Sequence, residues 1–168
     1  MAERFLGVVL RQHQGELKNR PTIGEIGLNH FAPYLMNRVM ARWNAHLAED
    51  LKTHGMSTAK MRALAVLSVA SSLTINELSV FAVTEQSTMS RTLDALDEQG
   101  YIRRQPRTDD MRIRDVSITE EGRAAFEKIW PTLYDLLLKM FEDIDEKEYR
   151  AFTTTLHKVL ANIHKHDL

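Results

Sequence analysis

Small hydroxyl side chains and an arginine cluster in one short stretch of this chain. Residues 87–91 read Ser-Thr-Met-Ser-Arg, so four of these five side chains carry a hydroxyl or a guanidinium group. Such groups form hydrogen bonds with base edges, and an arginine can donate two of them to O6 and N7 of guanine in the major groove of DNA. Short side chains also let a helix approach the bases closely. The residue types therefore predict base recognition by four side chains: Ser87, Thr88, Ser90 and Arg91.

The spacing of the apolar residues places this stretch on a helix. Met89, Leu93 and Leu96 recur three or four residues apart, so they share one face and leave the hydroxyl residues on the other. The segment from Glu85 to Glu98 is thus predicted to be an amphipathic helix. An ordinary surface helix with a polar outer face has the same pattern, so the spacing alone does not distinguish it from a DNA-binding helix.

A shorter helix is predicted immediately before this one. Thr74 and Glu77 have the spacing of a capping box, in which the side chain of each residue accepts a hydrogen bond from the other's backbone N–H. A break at residues 82–84 separates the two helices. Two helices joined by so short a break have the pattern of a helix-turn-helix. We expect three residues of the short helix to bury one face: Ile75, Leu78 and Phe81.

A β-hairpin is predicted after the second helix. Residues 101–107 and 112–118 are two extended runs joined by a polar turn, and three of their residues can face inward: Ile102, Val116 and Ile118. The hairpin carries five arginines: Arg103, Arg104, Arg107, Arg112 and Arg114. A cationic hairpin directly after a helix-turn-helix is typical of a wing that reaches phosphates or the adjacent minor groove. The roles of Arg103 and Arg104 stay open between phosphate contacts and solvated strand ends.

The string TEQSTMSRTLDALDEQGYIRRQPRTDDMRIRDVSITEEG resembles the winged helix-turn-helix of MarR-type bacterial transcriptional regulators. In that family an Asp-x-Arg sequence lies at the wing tip, and a Leu-Thr or Ile-Thr pair followed by Glu and Gly begins the next helix. Asp110 and Arg112 match the first feature, and Ile118, Thr119 and Gly122 match the second.

The resemblance implies a function. The protein would be a homodimer that binds a pseudo-palindromic operator in double-stranded DNA and is released by a small effector, with an aromatic or phenolic compound as the hypothesis. Repression is the commoner mode in the family, and activation stays open. Asp110 would be structural, orienting Arg112 or a neighbouring arginine through a charge-assisted hydrogen bond. The predicted DNA contacts are Ser87, Thr88, Ser90, Arg91, Arg107, Arg112 and Arg114.

Composition limits the classes of function. A length of 168 residues suits one domain, since domains commonly hold about 100 to 200 residues. The formal net charge is −1, so DNA binding depends on locally clustered arginines rather than on overall attraction. Cysteine is absent, which excludes disulfides and thiol-based sensing. The apolar run at residues 5–10 is too short for a membrane or signal segment, so we expect a cytoplasmic protein with no membrane partner.

Long apolar-faced helices are predicted on both sides of the winged lobe. The first begins near Ala32 or is kinked by Pro33. The apolar surface of these helices exceeds what the lobe needs, and it must be buried against something. Burial in a homodimer is a simpler explanation than packing of the helices on each other within one monomer. The predicted fold is mainly α, or α+β with the small hairpin wing, organised as an N-terminal arm (1–25), an N-terminal dimerisation helix (26–56), the DNA-binding lobe (57–118) and C-terminal dimerisation helices (119–168).

Three residues at helical spacing are candidate ligand contacts. His30, Tyr34 and Arg38 recur every four residues on the predicted first helix and could present one polar face with a cationic end. The resemblance implies a ligand pocket between this helix, the long helix after the wing and the DNA-binding lobe. The alternative is that these residues lie on the surface or contact a second subunit.

Other classes of function have weaker support in the sequence. No nucleophile–base pair or glycine-rich phosphate loop is visible, so neither catalytic residues nor cofactors are predicted. His157, His164 and His166 could serve a metal-responsive regulator, but His164 and His166 are two residues apart and a helix would point them to different sides. No metal site is predicted. A winged module that binds proteins rather than DNA stays an alternative.

Overall fold

A computed structural model describes residues 22–107 and 113–166 of the chain. The described part divides into two units, one ending at Glu49 and the other beginning at Asp50. In chain order the elements are α1 (Ile23–Ile26), a 3-10 turn (Leu28–His30), α2 (Ala32–Thr53), α3 (Thr58–Val69), β1 (Leu73–Thr74), α4 (Ile75–Phe81), α5 (Gln86–Glu98), β2 (Ile102–Pro106), β3 (Arg114–Ile118), α6 (Glu120–Met140) and α7 (Glu146–Lys165).

Helix α2 begins at Ala32, the first of the two options that the sequence left open. Pro33 lies in its first turn, where the missing backbone N–H has no helical partner to lose. The preceding residues form α1 and the 3-10 turn, joined by Gly27 at φ 75°. Glycine adopts this left-handed conformation without steric strain. At the other end, α2 ends at Thr53 and Gly55 follows at φ 64°.

Helices α3, α4 and α5 build the core of the second unit. Ser57 caps α3, and its side chain accepts a hydrogen bond from the N–H of Lys60 at 3.2 Å. Burial of a leucine side chain stabilises a fold by about 1.5–3 kcal/mol relative to exposure. The largest fully buried side chains from α3, α4, α5 and β3 are Leu64, Leu67, Leu78, Met89, Leu93, Leu96 and Val116.

The sheet has three antiparallel strands in the order β1-β3-β2. The predicted hairpin is confirmed, with Ile102 opposite Ile118 and Arg104 opposite Val116. Ile102 and Val116 are buried, and Ile118 is half-buried. The third strand, β1, was not predicted from the sequence. It pairs with β3 and has only two residues, too few to give an alternating pattern.

Helix α6 begins directly on the base of the wing. Thr119 caps it as predicted, and its backbone N–H donates to the carbonyl of Tyr101 at 3.0 Å while its hydroxyl donates to the carbonyl of Gly100 at 2.7 Å. Gly122 lies in the first turn, where an added Cβ would be 2.0 Å from the Tyr101 carbonyl oxygen. Only glycine fits at this position, because backbone cannot move away as a flexible side chain can.

The prediction for Phe81 is wrong. Leu78 is buried and Ile75 half-buried as expected, but the side chain of Phe81 is 63% exposed. Phe81 is the last residue of α4, and the next residue, Ala82, takes the buried position instead. The helical spacing predicted which face of α4 is buried. It did not predict that the helix ends at Phe81, which turns this side chain towards solvent.

The last two helices expose much of their apolar surface. Helix α6 buries Phe126, Ile129 and Leu133. Helix α7 begins with a capping box of Asp145 and Glu148, and no residue of the helix is buried. Exposed apolar side chains on these helices include Trp130, Tyr134, Leu138, Phe152, Val159, Leu160 and Ile163. Within residues 22–107 and 113–166, no helix combines the length and apolar character that crossing a membrane requires.

Candidate nucleic-acid interface

Helix α5 presents the predicted hydroxyl and arginine face to solvent. Its opposite face is fixed in the core by Met89, Leu93 and Leu96, none of which is exposed. The side chains of Ser87 and Arg91 are exposed, and those of Thr88 and Ser90 are half-buried. The structure thus brings the four predicted residues to one end of one helix, with Ser87 and Arg91 one turn apart.

An acidic residue caps this end of α5. The carboxylate of Glu85 accepts a hydrogen bond from the backbone N–H of Ser87 at 3.3 Å, a short one from the Ser87 hydroxyl, and a long one from the Thr88 hydroxyl at 3.4 Å. Because the Ser87 hydroxyl stabilises the charged form, it holds the pKa of the Glu85 carboxyl below its ordinary value. The sequence interpretation assigned no role to Glu85, although an acidic side chain directly before a helix suits its positive end.

The turn between α4 and α5 is held from two sides. Gln86 donates from Nε2 to Oδ1 of Asn76 at 2.7 Å, which joins the first turns of the two helices. Arg62 on α3 donates to the carbonyl of Val83 at 3.2 Å. Val83 has φ 49°, a left-handed conformation that a β-branched residue adopts only under strain. These contacts fix the entry of the chain into α5.

Arg104 is not a solvated strand end, because its guanidinium group pairs with two aspartates. Its Nη2 lies 2.7 Å from Oδ1 of Asp94, and its Nε lies 3.6 Å from Oδ2 of Asp97. The side chain of Arg104 is only 17% exposed. Both aspartates are on α5, so this arginine joins strand β2 of the wing to the candidate DNA-binding helix. We expect these ion pairs to fix the position of the wing relative to α5.

The other arginines of the wing fall into two groups. Arg107, a predicted DNA contact, is half-buried and pairs with Asp115, with Nη2 at 3.1 Å from Oδ1 and Nε at 3.3 Å from Oδ2. Arg103 and Arg114 are exposed. Asp110 and Arg112, predicted at the wing tip, lie outside the described residues. The sequence interpretation did not single out Asp115, because no local pattern distinguishes it from a solvated strand residue.

The three candidate ligand contacts do not share one helix. His30 lies in the 3-10 turn, because α2 begins only at Ala32, so the predicted continuous spacing is wrong for this residue. Tyr34 and Arg38 are one turn apart on α2, and the guanidinium carbon of Arg38 lies 5.7 Å from the centre of the Tyr34 ring. That distance is typical of a cation–π contact. This pair is the part of the prediction that the structure brings together.

Three histidines lie near the C-terminus. His157 and His164 lie on α7, and His166 follows its last residue. Among the residues that the structure describes, no three His, Cys, Asp or Glu side chains are grouped in a way that could hold a metal ion.

Residues from α3 to β3 therefore form a winged helix-turn-helix, the class of protein that inserts one helix of this pair into the major groove of DNA. Comparisons with known proteins give the family. A model described as the MarR family matches residues 56–113. A MarR-family transcriptional regulator from Silicibacter pomeroyi is 47% identical, with a TM-score of 0.80 over 85% of this chain and 97% of that chain.

Two further relatives agree with this result. A second MarR-family regulator from Silicibacter pomeroyi is 30% identical, with a TM-score of 0.76 over 88% of this chain and 98% of that chain. The HTH-type transcriptional repressor IacR of Pseudomonas putida is 24% identical over 89% of this chain and 90% of its own length. The chain belongs to the MarR family. It is a DNA-binding transcriptional regulator and not an enzyme, as predicted, and its winged helix fold is the one predicted.

Proposed function

We propose that this protein is a homodimeric repressor that reads a pseudo-palindromic operator with α5 and is released by a small ligand. The observation that carries the proposal is the two-sided character of α5. One face is buried in the lobe, while Ser87 and Arg91 project from the other at the end that helix-turn-helix proteins present to base edges. In this proposal Ser87, Thr88, Ser90 and Arg91 contact bases. Arg112, Arg114 and the half-buried Arg107 contact phosphates or the neighbouring groove.

Exposed apolar side chains support the dimer. Helix α7 has twenty residues and buries none of them, although Phe152, Leu160 and Ile163 are apolar. Removing apolar surface from water gains about 25 cal/mol per Å², so a second copy of the chain is the simplest cover. In the proposed organisation, residues 26–56 and 119–168 form the dimer and residues 57–118 read DNA. Two reading helices would then lie about 34–36 Å apart, one turn of DNA.

The ligand acts through this spacing. A compound that prefers a dimer with wrongly spaced reading helices lowers DNA affinity by its differential affinity for the two states. Tyr34 and Arg38 support an aromatic acid as its class, because a ring can stack on tyrosine while a carboxylate pairs with the guanidinium group. His30 precedes this pair and is included in the proposed site. We propose that the protein acts in the cytoplasm, where its operator lies.

Selection from a random-sequence DNA library tests the proposal. The full chain should enrich a two-fold symmetric sequence, and the logarithm of affinity should fall linearly with the logarithm of salt concentration. Each neutralised phosphate adds about 0.9 to that slope. A flat salt response and no enriched sequence would overturn the proposal and favour a protein-binding module. Benzoate and its ring-substituted relatives are the first compounds to test by thermal shift, followed by their effect on operator binding.

Two substitutions separate base contacts from phosphate contacts. Arg91→Ala should cost about 1–3 kcal/mol on the selected operator and relax its sequence preference. Arg114→Ala should weaken binding to all duplexes alike and reduce the salt slope by about one unit. Arg150→Ala is the matched control: it removes the same charge from α7, where Arg150 pairs with Glu146. The reverse pattern would exchange the roles of Arg91 and Arg114.

A further inference from the structure

The start of α5 presents hydrogen-bond acceptors to solvent. The exposed carboxylate of Glu85 accepts from the hydroxyls of Ser87 and Thr88. An ionised carboxylate has only lone pairs, so the Ser87 hydroxyl points its hydrogen at Glu85 and keeps its own lone pairs for other partners. The Ser87 hydroxyl lowers the pKa of Glu85, so the carboxylate is charged at neutral pH. A serine hydroxyl can usually either donate or accept a hydrogen bond, but the Ser87 hydroxyl can only accept one from DNA here, because its hydrogen is bound to Glu85.

This fixed polarity has a counterpart in the major groove. Cytosine and adenine present their exocyclic amino groups as donors, whereas guanine presents N7 and O6, and thymine O4, as acceptors. An acceptor on the protein that faces guanine or thymine would meet lone pairs and lose its hydrogen bond to water. A buried polar group without a partner is costly. The start of α5 therefore fits cytosine or adenine and opposes the other two bases.

We propose that Glu85 is a specificity-determining residue, which acts together with Ser87 to select cytosine or adenine on the DNA strand that faces the start of α5. The inference rests on the proposed function in one respect, because it requires α5 to be the reading helix. Glu85 is also expected to weaken DNA binding overall. The negative charge of Glu85 repels phosphates, so this residue reduces affinity for DNA in general while it increases discrimination between sequences.

The matched variants are Glu85→Ser and Glu98→Ser. The first removes the carboxylate but keeps a good N-cap side chain. The second removes the same charge from the last residue of the same helix, which is also exposed. In selection from a random duplex library, wild type and Glu98→Ser should prefer cytosine or adenine at one position of each half-site. The preference should be roughly five- to a hundredfold, as for other single base-pair changes. Glu85→Ser should lose that preference and retain the rest of the motif.

A change of a single group on the DNA tests the contact directly. The selected operator is rebuilt with a cytosine analogue that lacks the 4-amino group, or an adenine analogue that lacks the 6-amino group, at the selected position. Wild type should lose roughly five- to a hundredfold in affinity. Glu85→Ser should lose no more than about twofold. If circular dichroism shows that Glu85→Ser is unfolded, the affinities of wild type for the operators with and without the amino group still test the contact.

The results separate this inference from the proposed function. An unchanged base preference in Glu85→Ser, or full affinity of wild type for the operator without the amino group, overturns the role of Glu85 while leaving operator recognition intact. Failure of wild type to enrich any sequence overturns both. Loss of preference at the one position in Glu85→Ser, with Glu98→Ser unchanged, establishes the role.

Discussion

Helices α5 and α7 are both amphipathic, but they differ in what they bury within one chain. Helix α5 has 13 residues and buries four of them, including Leu93 and Leu96. Helix α7 has 20 residues and buries none. Its aromatic residues Tyr149 and Phe152 pack against Phe141 at the end of α6, with ring centres 4.8 Å and 5.9 Å away. The core of the DNA-binding lobe is therefore formed within one chain, whereas the last helix has an apolar face that residues 22–107 and 113–166 leave exposed.

The largest effect is expected from a cavity under α5. Leu93→Ala removes a fully buried side chain and should lower the free energy of unfolding by about 2–5 kcal/mol. Urea unfolding followed by circular dichroism measures the change. Because the core of the lobe is formed within one chain, the loss should be the same at every protein concentration. A loss of unfolding free energy that appears only at high protein concentration would mean that α5 depends on a second subunit, as α7 is proposed to do.

The second effect is expected on α7. Leu160 is 52% exposed, and Leu160→Asp should weaken the proposed dimer by about 2 kcal/mol or more, because a charge would enter the apolar contact. Sedimentation at a series of concentrations measures the dissociation constant. Thr154→Asp adds the same charge to the same helix at an exposed polar position and should leave the dimer intact. Equal dissociation of both variants would place the dimer contact elsewhere.

A smaller effect is expected where the wing meets α6. Gly122→Ala would put a Cβ against the Tyr101 carbonyl, so the first turn of α6 must shift, at a cost of about 1–3 kcal/mol in unfolding free energy. Gly24→Ala is the control, because the nearest atom to its Cβ, Oγ1 of Thr22, would be 3.9 Å away. Thermal unfolding compares the two. Equal melting temperatures would mean that this junction is looser than the structure describes.

The smallest effect is expected from the wing arginines. Arg104→Ala should lower the unfolding free energy by about 1 kcal/mol, since its partner aspartates are partly exposed and solvent screens the pair. Arg103→Ala removes the same charge from the next, exposed residue and should change stability by less than about 0.5 kcal/mol. A double-mutant cycle with Asp94→Ala measures the coupling. The absence of coupling would remove the positioning role of Arg104.

Features that depend on neighbours in sequence were predictable. The capping box at Thr74 and the buried face of α5 are confirmed, because each is set by residues three or four positions apart. The two arginine-rich strands were predictable from their alternating pattern. The family followed from the wing and from the Thr119 to Gly122 sequence, and the comparisons confirm it.

Features that depend on partners distant in sequence were not predictable. Arg104 meets Asp94 ten residues away, and strand β1 exists only because β3 lies beside it. Phe81 is exposed because the chain turns at that residue, which the period of a helix does not encode. Glu85 has a local signal, but its contact with the Ser87 hydroxyl required side-chain coordinates. The assignments of individual residues to bases and phosphates stay predictions.

The start of α6 is joined tightly to the base of the wing. Thr119 donates hydrogen bonds to the Gly100 and Tyr101 carbonyls, and Gly122 packs directly against the Tyr101 backbone. The first turn of α6 is therefore held closely against the start of β2. Helix α6 has 21 residues, which gives a lever about 30 Å long at a rise of about 1.5 Å per residue. Pro131 lies inside this helix, so we expect the turns between Thr119 and Pro131, which are joined to the wing, to keep a fixed angle to it.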